Sequence, residues 1–371
     1  MKRFSVLFLT VALLATLASA LGQGNADVQW RAIYQGELDG QPVTLDLALG
    51  ANEFAFGRLT RAGSPEVLDG VGTHDLEEAT VRLELRIATA PLATSVALDY
   101  AYLDGQNPDV LGGGAGPVSA VLNGTRSVDW SNDGDTMEAT LQFIEAGSVS
   151  GTLTRVAQYA YGNLVEGRID LGYAYPRFGT DNNELDARLE EAAVGRLTDW
   201  AQEGRGLLDD DQGGGLGWAW THSESTDLQG AAGAYLSLLT SFYYYTGGAH
   251  PNSHSQSLLV RKTESGVQAV ELAELFDPST DWLAEVTSQV VADLAAQGAE
   301  WVVTGEVNES AGLELATFTL DPAGLTFHFD PYAVGPYVQG AFRVNLPYAD
   351  LTQLAAAGGA LETFAAEYAP D

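Results

Sequence analysis

The chain has 371 residues, 46% hydrophobic and 18% charged, with 15 Tyr, 13 Phe and 7 Trp. That composition excludes a disordered tail, and the length excludes a single small stapled module, so two or three folded domains are expected. Acidic residues outnumber basic ones 50 to 17, a formal net charge of −33; such a surface repels phosphate backbones and anionic headgroups, which excludes nucleic acid as a partner.

The first 20 residues carry Lys2 and Arg3, an apolar run from Phe4 to Leu17, and small residues Ala18 and Ala20 at the places a signal peptidase reads. This predicts a secretory signal peptide over 1–20, cleaved after Ala20, and a secreted or periplasmic location. The competing reading is an uncleaved anchor. Nothing later approaches 18 uninterrupted apolar residues, so no membrane span is expected after cleavage. With no cysteine in the chain, disulfides and thiol chemistry are excluded and stability must come from the core.

Between Trp30 and Arg155 the dominant period is two. Val43, Leu45, Leu47 and Leu49 fall on one face, as do Val81, Leu83, Leu85 and Ile87, and then Met137, Ala139, Leu141 and Phe143. Asp39-Gly40, just before the first of these runs, is hairpin-turn chemistry. The pattern predicts a β-rich N-terminal domain over 21–157, an antiparallel barrel or sandwich.

From 158 to 371 helical periods enter among strands. A helix is predicted over Asn183–Gly204, with Gly204 as its stop, and another over Thr280–Gln297, with Gly298 after it. Strands are expected at Gly217–Ser225, Ala234–Tyr245, Ser257–Lys262, Glu314–Leu320, Leu325–Asp330 and Ala341–Leu346, and a closing helix near Tyr348–Ala357. Strands outnumber helices without strict alternation, so the expected class is α+β.

Chemistry-bearing patterns are sparse. In the stretch 242–254, FYYYTGGAHPNSH, two glycines permit a tight turn after an aromatic strand, and His250, Asn252 and His254 follow as polar groups. Tyr245, Gly247, Gly248, His250, Asn252 and His254 are therefore the candidate partner-binding loop, against the plainer reading of a turn that anchors two strands. His250 and His254 have metal-pair spacing, but Pro251 intervenes and no Glu follows His250, so helical zinc geometry is unavailable. Gly112–Gly116 and Gly213–Gly217 lack the Lys-Ser or Lys-Thr of a phosphate loop. Asp209, Asp210 and Asp211 could gather calcium, and Asp129, Ser131, Asp133 and Gly134 imitate the first half of an EF-hand loop in which Thr140 stands where a bidentate Glu is required; both are read as solvated turns. His328 and Asp330 share a strand face, read here as an exposed polar face opposite Leu325, Phe327 and Phe329. No nucleophile elbow is present, so no catalytic residue, cofactor site or metal site is predicted.

Three stretches resemble one family. LGYAYPRF at Leu171–Phe178 leads into the helix from Asn183; FYYYTGGAHPN spans Phe242–Asn252, followed by LLVRKTESGVQAVELAELF at Leu258–Phe276; GLTFHFDPYAVGPYVQGAFRVNLPYADL spans Gly324–Leu351. Together they resemble the extracytoplasmic domain of unknown function found in the ectodomain of the anti-sigma factor RsiV and ahead of the catalytic domain in PdaC-type peptidoglycan deacetylases. The resemblance covers about 195 residues and leaves the β-rich domain outside. It implies an α+β module that works by binding, in some relatives by binding lysozyme. Only Met1, Lys2 and Arg3 precede the apolar run, where the anti-sigma relatives carry a cytoplasmic segment, so the sigma-factor role is not carried over. The expected function is a non-enzymatic binding protein of the cell envelope, its partner a basic protein such as lysozyme, or a glycan. The alternative is a secreted hydrolase of peptidoglycan or another glycan.

Overall fold

The structure is a computed structural model that describes residues 28–50, 54–64, 67–75, 80–87, 119–126, 136–143, 147–179, 183–210, 219–308 and 313–368. The signal segment, both Gly-rich stretches, the acidic turn 129–134 and Asp211 lie outside these residues. The chain divides into two compact units, one holding Gln23–Ala160 with Pro176–Asn183, the other Tyr161–Tyr175 with Glu184–Ala369. The class is α+β and mostly strand.

In the first unit, β1 (Val28–Leu38), β2 (Gln41–Gly50), β3 (Phe54–Arg61), β4 (Val67–Asp75), β5 (Thr80–Ile87), β6 (Ser119–Arg126), β7 (Thr136–Phe143) and β8 (Gly147–Glu166) pair antiparallel in chain order. β8 also pairs with β1, from Gly36↔Leu153 to Ala32↔Gln158. The β1–β2 hairpin turns on Asp39 and Gly40, whose φ of 49° and 78° are the two positive values that a right-twisted two-residue hairpin requires. Val43, Leu45, Leu47 and Leu49 are buried with Tyr34, Leu59, Leu68, Val81, Leu83 and Leu153 in one cluster, so the period-two reading holds there. Arg31 pairs with Asp46 through two hydrogen bonds of 2.9 and 2.6 Å while its guanidinium lies 4.0 Å over the Tyr159 ring.

In the second unit, β9 (Ile169–Arg177) pairs in parallel with β10 (Trp220–Ala232), and β10, β11 (Tyr235–Tyr245), β12 (Asn252–Thr263) and β13 (Gly266–Ala269) continue antiparallel. Helix α1 (Asn183–Asp210) runs past Gly204, correcting the expected stop. A Cβ at Gly204 would lie 2.6 Å from the Trp220 ring, so this glycine serves close approach of an indole and not helix termination. α2 (Trp282–Gln297) does end at Gly298, whose φ is 81°, as a left-handed C-terminal residue should.

A second sheet holds β14 (Phe318–Asp321), β15 (Gly324–Phe329) and β16 (Phe342–Leu346). β14 starts four residues later than the period suggested. The Phe318 and Leu320 N–H groups, pointing away from β15, donate to the hydroxyls of Ser257 and Ser237 at 2.9 Å each. Both faces of β15 are buried, so His328 is not on an exposed face. Its Nε2 lies 2.8 Å from the Thr319 hydroxyl, and burial drives its pKa from 6.5 to about 3, with Arg343 adding to the fall. The short helix α3 (Glu300–Val303) precedes this sheet, and the helix expected at Tyr348–Ala357 is only one turn, α4 (Tyr348–Leu351). A further helix, α5 (Ala360–Tyr368), closes the core with Leu361, Phe364 and Tyr368 buried, and the Tyr368 hydroxyl donates to the Ala231 carbonyl at 2.8 Å. Among the described residues, no helix is long and apolar enough to cross a membrane.

Candidate functional site

The aromatic run of β11 and the start of β12 build two adjacent clusters in the second unit. Register places Glu224 opposite Phe242 and Phe242 opposite His254, with His222 opposite Tyr244. Because side chains alternate along strands, these five groups share one face, and α1 lies against it.

On that covered face, Arg196 of α1 holds Glu224 by two hydrogen bonds of 2.7 and 2.8 Å, and His222 Nε2 lies 3.4 Å from the same carboxylate. Trp200 stacks on His222 at 4.6 Å and tilts against Trp220 and Tyr244, while its carbonyl accepts the Trp220 indole N–H at 3.1 Å. His222 and Glu224 each expose 2% of their side chains. Burial alone would raise the Glu224 pKa, but the bonds from His222 and Arg196 overcome it and hold the carboxyl below its usual range. His254 lies flat on Phe242 at 4.3 Å. Burial lowers its pKa, with His222 and Arg196 adding and Asp330 and Glu224 opposing.

The second cluster is open. Tyr245 ends β11, and Gly247 and Gly248 follow with φ of 96° and 103°, values that only glycine adopts without strain. The Tyr245 hydroxyl donates to the Gly248 carbonyl at 3.0 Å, closing the turn. His250 stacks on Tyr337 with ring centroids 3.8 Å apart, and Tyr332 lies 5.5 Å from Tyr337. Pro251's carbonyl accepts two bonds, from His250 Nδ1 at 2.8 Å and from the Tyr337 hydroxyl at 2.7 Å. A carbonyl can only accept, so the proton of His250 sits on Nδ1 and its Nε2 accepts the Tyr332 hydroxyl, 3.4 Å away. Burial, then the neighbouring phenol of Tyr332, raises the Tyr337 pKa, so its hydroxyl remains a donor.

The six candidate residues are thus divided. Tyr245, Gly247, Gly248 and His250 belong to the turn, whereas Asn252 and His254 lie on β12, because β12 starts five residues earlier than expected. His250 and His254 serve different ring stacks, and no group of three or more metal-ligating side chains occurs among the described residues. Asp330, whose carboxyl is pushed up by burial and pulled down by hydrogen bonds from the Ser255 N–H and hydroxyl, fixes the segment that delivers Tyr332 and Tyr337. From sequence those two tyrosines figure only in the resemblance, within the run Phe329-x-x-Tyr332-x-x-x-Pro336-Tyr337-x-x-Gly340, and Trp200 only as part of an apolar helix face; Arg196 and Glu224 were not singled out.

Residues 273–349 match the family DUF3298. The family is described as a protein of unknown function, and the match takes in α2, the second sheet, Asp330, Tyr332 and Tyr337 but not His250 or His254. A DUF3298 family protein of Pseudomonas aeruginosa PAO1 aligns over 54% of this chain and 93% of its own, with 14% identity and a TM-score of 0.41. One from Bacteroides fragilis NCTC 9343 aligns over 56% and 97%, with 16% identity and a TM-score of 0.43. No curated protein matches the chain.

Proposed function

We propose that the chain is a secreted or periplasmic, non-enzymatic binding protein of the cell envelope that takes a basic protein, lysozyme being the first to test. The observation that carries this reading is the open cluster: three rings from two distant segments, two of them locked by a shared carbonyl and the third, Tyr332, half exposed. Rigid, partly exposed aromatic groups lose little entropy on contact and serve as anchors in protein recognition. The charge around them favours a cationic partner. After Lys262 the chain holds 17 acidic side chains and a single Lys or Arg, Arg343. The resemblance of the second unit to the RsiV and PdaC-associated domain supports the same reading, because that module works by binding. Glu224, the carboxylate that His222 and Arg196 tune, is 2% exposed and held by Arg196 of α1, where a hydrolase would present its acid to a bulky glycan.

The test is titration of the full chain with a c-type lysozyme at low and at physiological salt, beside an equally basic unrelated protein. Selective binding of lysozyme that survives physiological salt supports the reading. Equal binding of both that vanishes with salt, or none, would reduce the acidity to a solubility feature and overturn it.

A further inference from the structure

Asp330, Pro331, Tyr332 and Ala333 form a β-turn in which the Ala333 N–H donates to the Asp330 carbonyl at 3.0 Å. Proline suits the second place of such a turn, and a positive φ at the third is normally left to glycine or asparagine. Tyr332 has a φ of 72°. Among the described residues the other non-glycine with positive φ is Asp39, in a hairpin turn where aspartate tolerates it. A bulky aromatic residue in this conformation is strained, and either usual residue would relieve the strain.

Local stability therefore gives no reason for a tyrosine here, and neither does burial. Tyr332 is 50% exposed, and Val338, next to Tyr337 in the chain, is 65% exposed. Its ring only tilts on Tyr337, and its bond to His250 is long at 3.4 Å. What the strained turn achieves is to hold half of an aromatic ring in solvent, beside a stack already fixed by Pro251.

The ring faces are electron-rich and attract cations, best those that are planar and weakly hydrated. The loop that carries Tyr332 and Tyr337 is tied to α3 by the Glu300 N–H, which donates to Gln339 at 3.0 Å, and the stretch after Lys262 holds Arg343 as its single Lys or Arg. We infer that Tyr332 is a recognition residue, kept in a glycine conformation so that its ring stacks on an arginine or lysine side chain of a basic partner protein. This rests on the binding reading above and adds the residue and the contact chemistry.

The full chain and its Tyr332→Asn and Tyr332→Phe variants are melted and titrated with c-type lysozyme at physiological salt, with a chitooligosaccharide as a glycan arm. Neither substitution alters net charge, so long-range attraction is equal in all three. Tyr332→Asn should raise the melting temperature by about 2–4 °C through relief of strain and weaken lysozyme binding about fivefold or more. Tyr332→Phe, which keeps the ring, should bind within about twofold of the parent. A lower melting temperature for Tyr332→Asn would make Tyr332 a structural ring. Unchanged lysozyme binding by Tyr332→Asn would remove its recognition role while leaving the binding function intact. Equal losses in both variants would assign the contact to the hydroxyl and overturn the stacking. A parent chain that binds the chitooligosaccharide and no lysozyme would overturn the basic partner itself, before any variant is compared.

Discussion

The covered face of β10–β12 and the open turn just beyond it are built from the same residue types, histidine beside tyrosine and other aromatic rings, yet they are held by different means. Beneath α1, Glu224 is 2% exposed and takes its bonds from Arg196 and His222, so the carboxylate is paired on the covered face, while His222 Nδ1 is buried there without a hydrogen-bond partner among the described residues. At the turn, His250 and Tyr337 converge on one backbone carbonyl and leave Tyr332 half in water. The first arrangement is spent on burying a charge; the second fixes two rings on one carbonyl and leaves the third in water. Chemistry alone does not distinguish the two, and burial together with backbone conformation does.

The sharpest way to break this comparison is to remove one side of the covered ion pair. Arg196→Ala leaves a buried carboxylate with only His222 beside it and should cost about 3 kcal/mol, the low end for such losses because Arg196 is 33% exposed. Urea unfolding should show it, and a loss under about 1 kcal/mol would place Glu224 in contact with water. Gly204→Ala pushes a methyl group into the Trp220 ring and should cost about 2 kcal/mol by overpacking; a stabilised variant in the same assay would show that the indole can move aside.

Protonation sharpens the comparison further. The folded pKa of His328 lies near 3, against 6.5 for the free side chain, and His254 is lowered in the same direction. The unfolded chain therefore takes up protons first, so stability is full above about 6.5 and is lost as pH falls from there toward about 3. Glu224, with its folded pKa depressed, adds a further loss as pH falls below the 4.5 of an ordinary glutamate. Unfolding free energies at pH 7, 5.5 and 4.5 should decline in the parent and decline less in His328→Gln; parallel curves would contradict a buried neutral imidazole. The smallest effect on stability belongs to the open turn. Tyr337→Leu, which removes one hydrogen bond and a ring stack, should cost about 1 kcal/mol while weakening lysozyme binding, and a loss above about 2 kcal/mol would move Tyr337 to the structural side.

What could be read from sequence was whatever is local. The alternation at Val43–Leu49, the Asp39-Gly40 turn and the helix ending at Gly298 each rest on neighbours within a few residues, and each is found. Gly204 was misread because its role is set by Trp220, on another element. The face spacing of Leu361, Phe364 and Tyr368 was available and passed over. In the candidate site the turn was legible from its two glycines, whereas the division of Asn252 and His254 onto β12 follows from the pairing of His254 with Phe242. Tyr332 was legible only as a position in the family run, and its contact with His250 was not, because the two lie 82 residues apart.

The bond between Tyr368 and Ala231 spans 137 residues. A contact of that span forms only after a long loop has closed, so little of the second unit's core rewards the chain until late in folding. β10 can pair with β11 early, but the Phe364 ring, which lies against Gly230, arrives only with α5. Rate-limiting assembly of this unit should accordingly be the docking of a short C-terminal helix on a sheet that is already paired, and the interval before it is when the sheet's apolar face is open to chaperones or to aggregation.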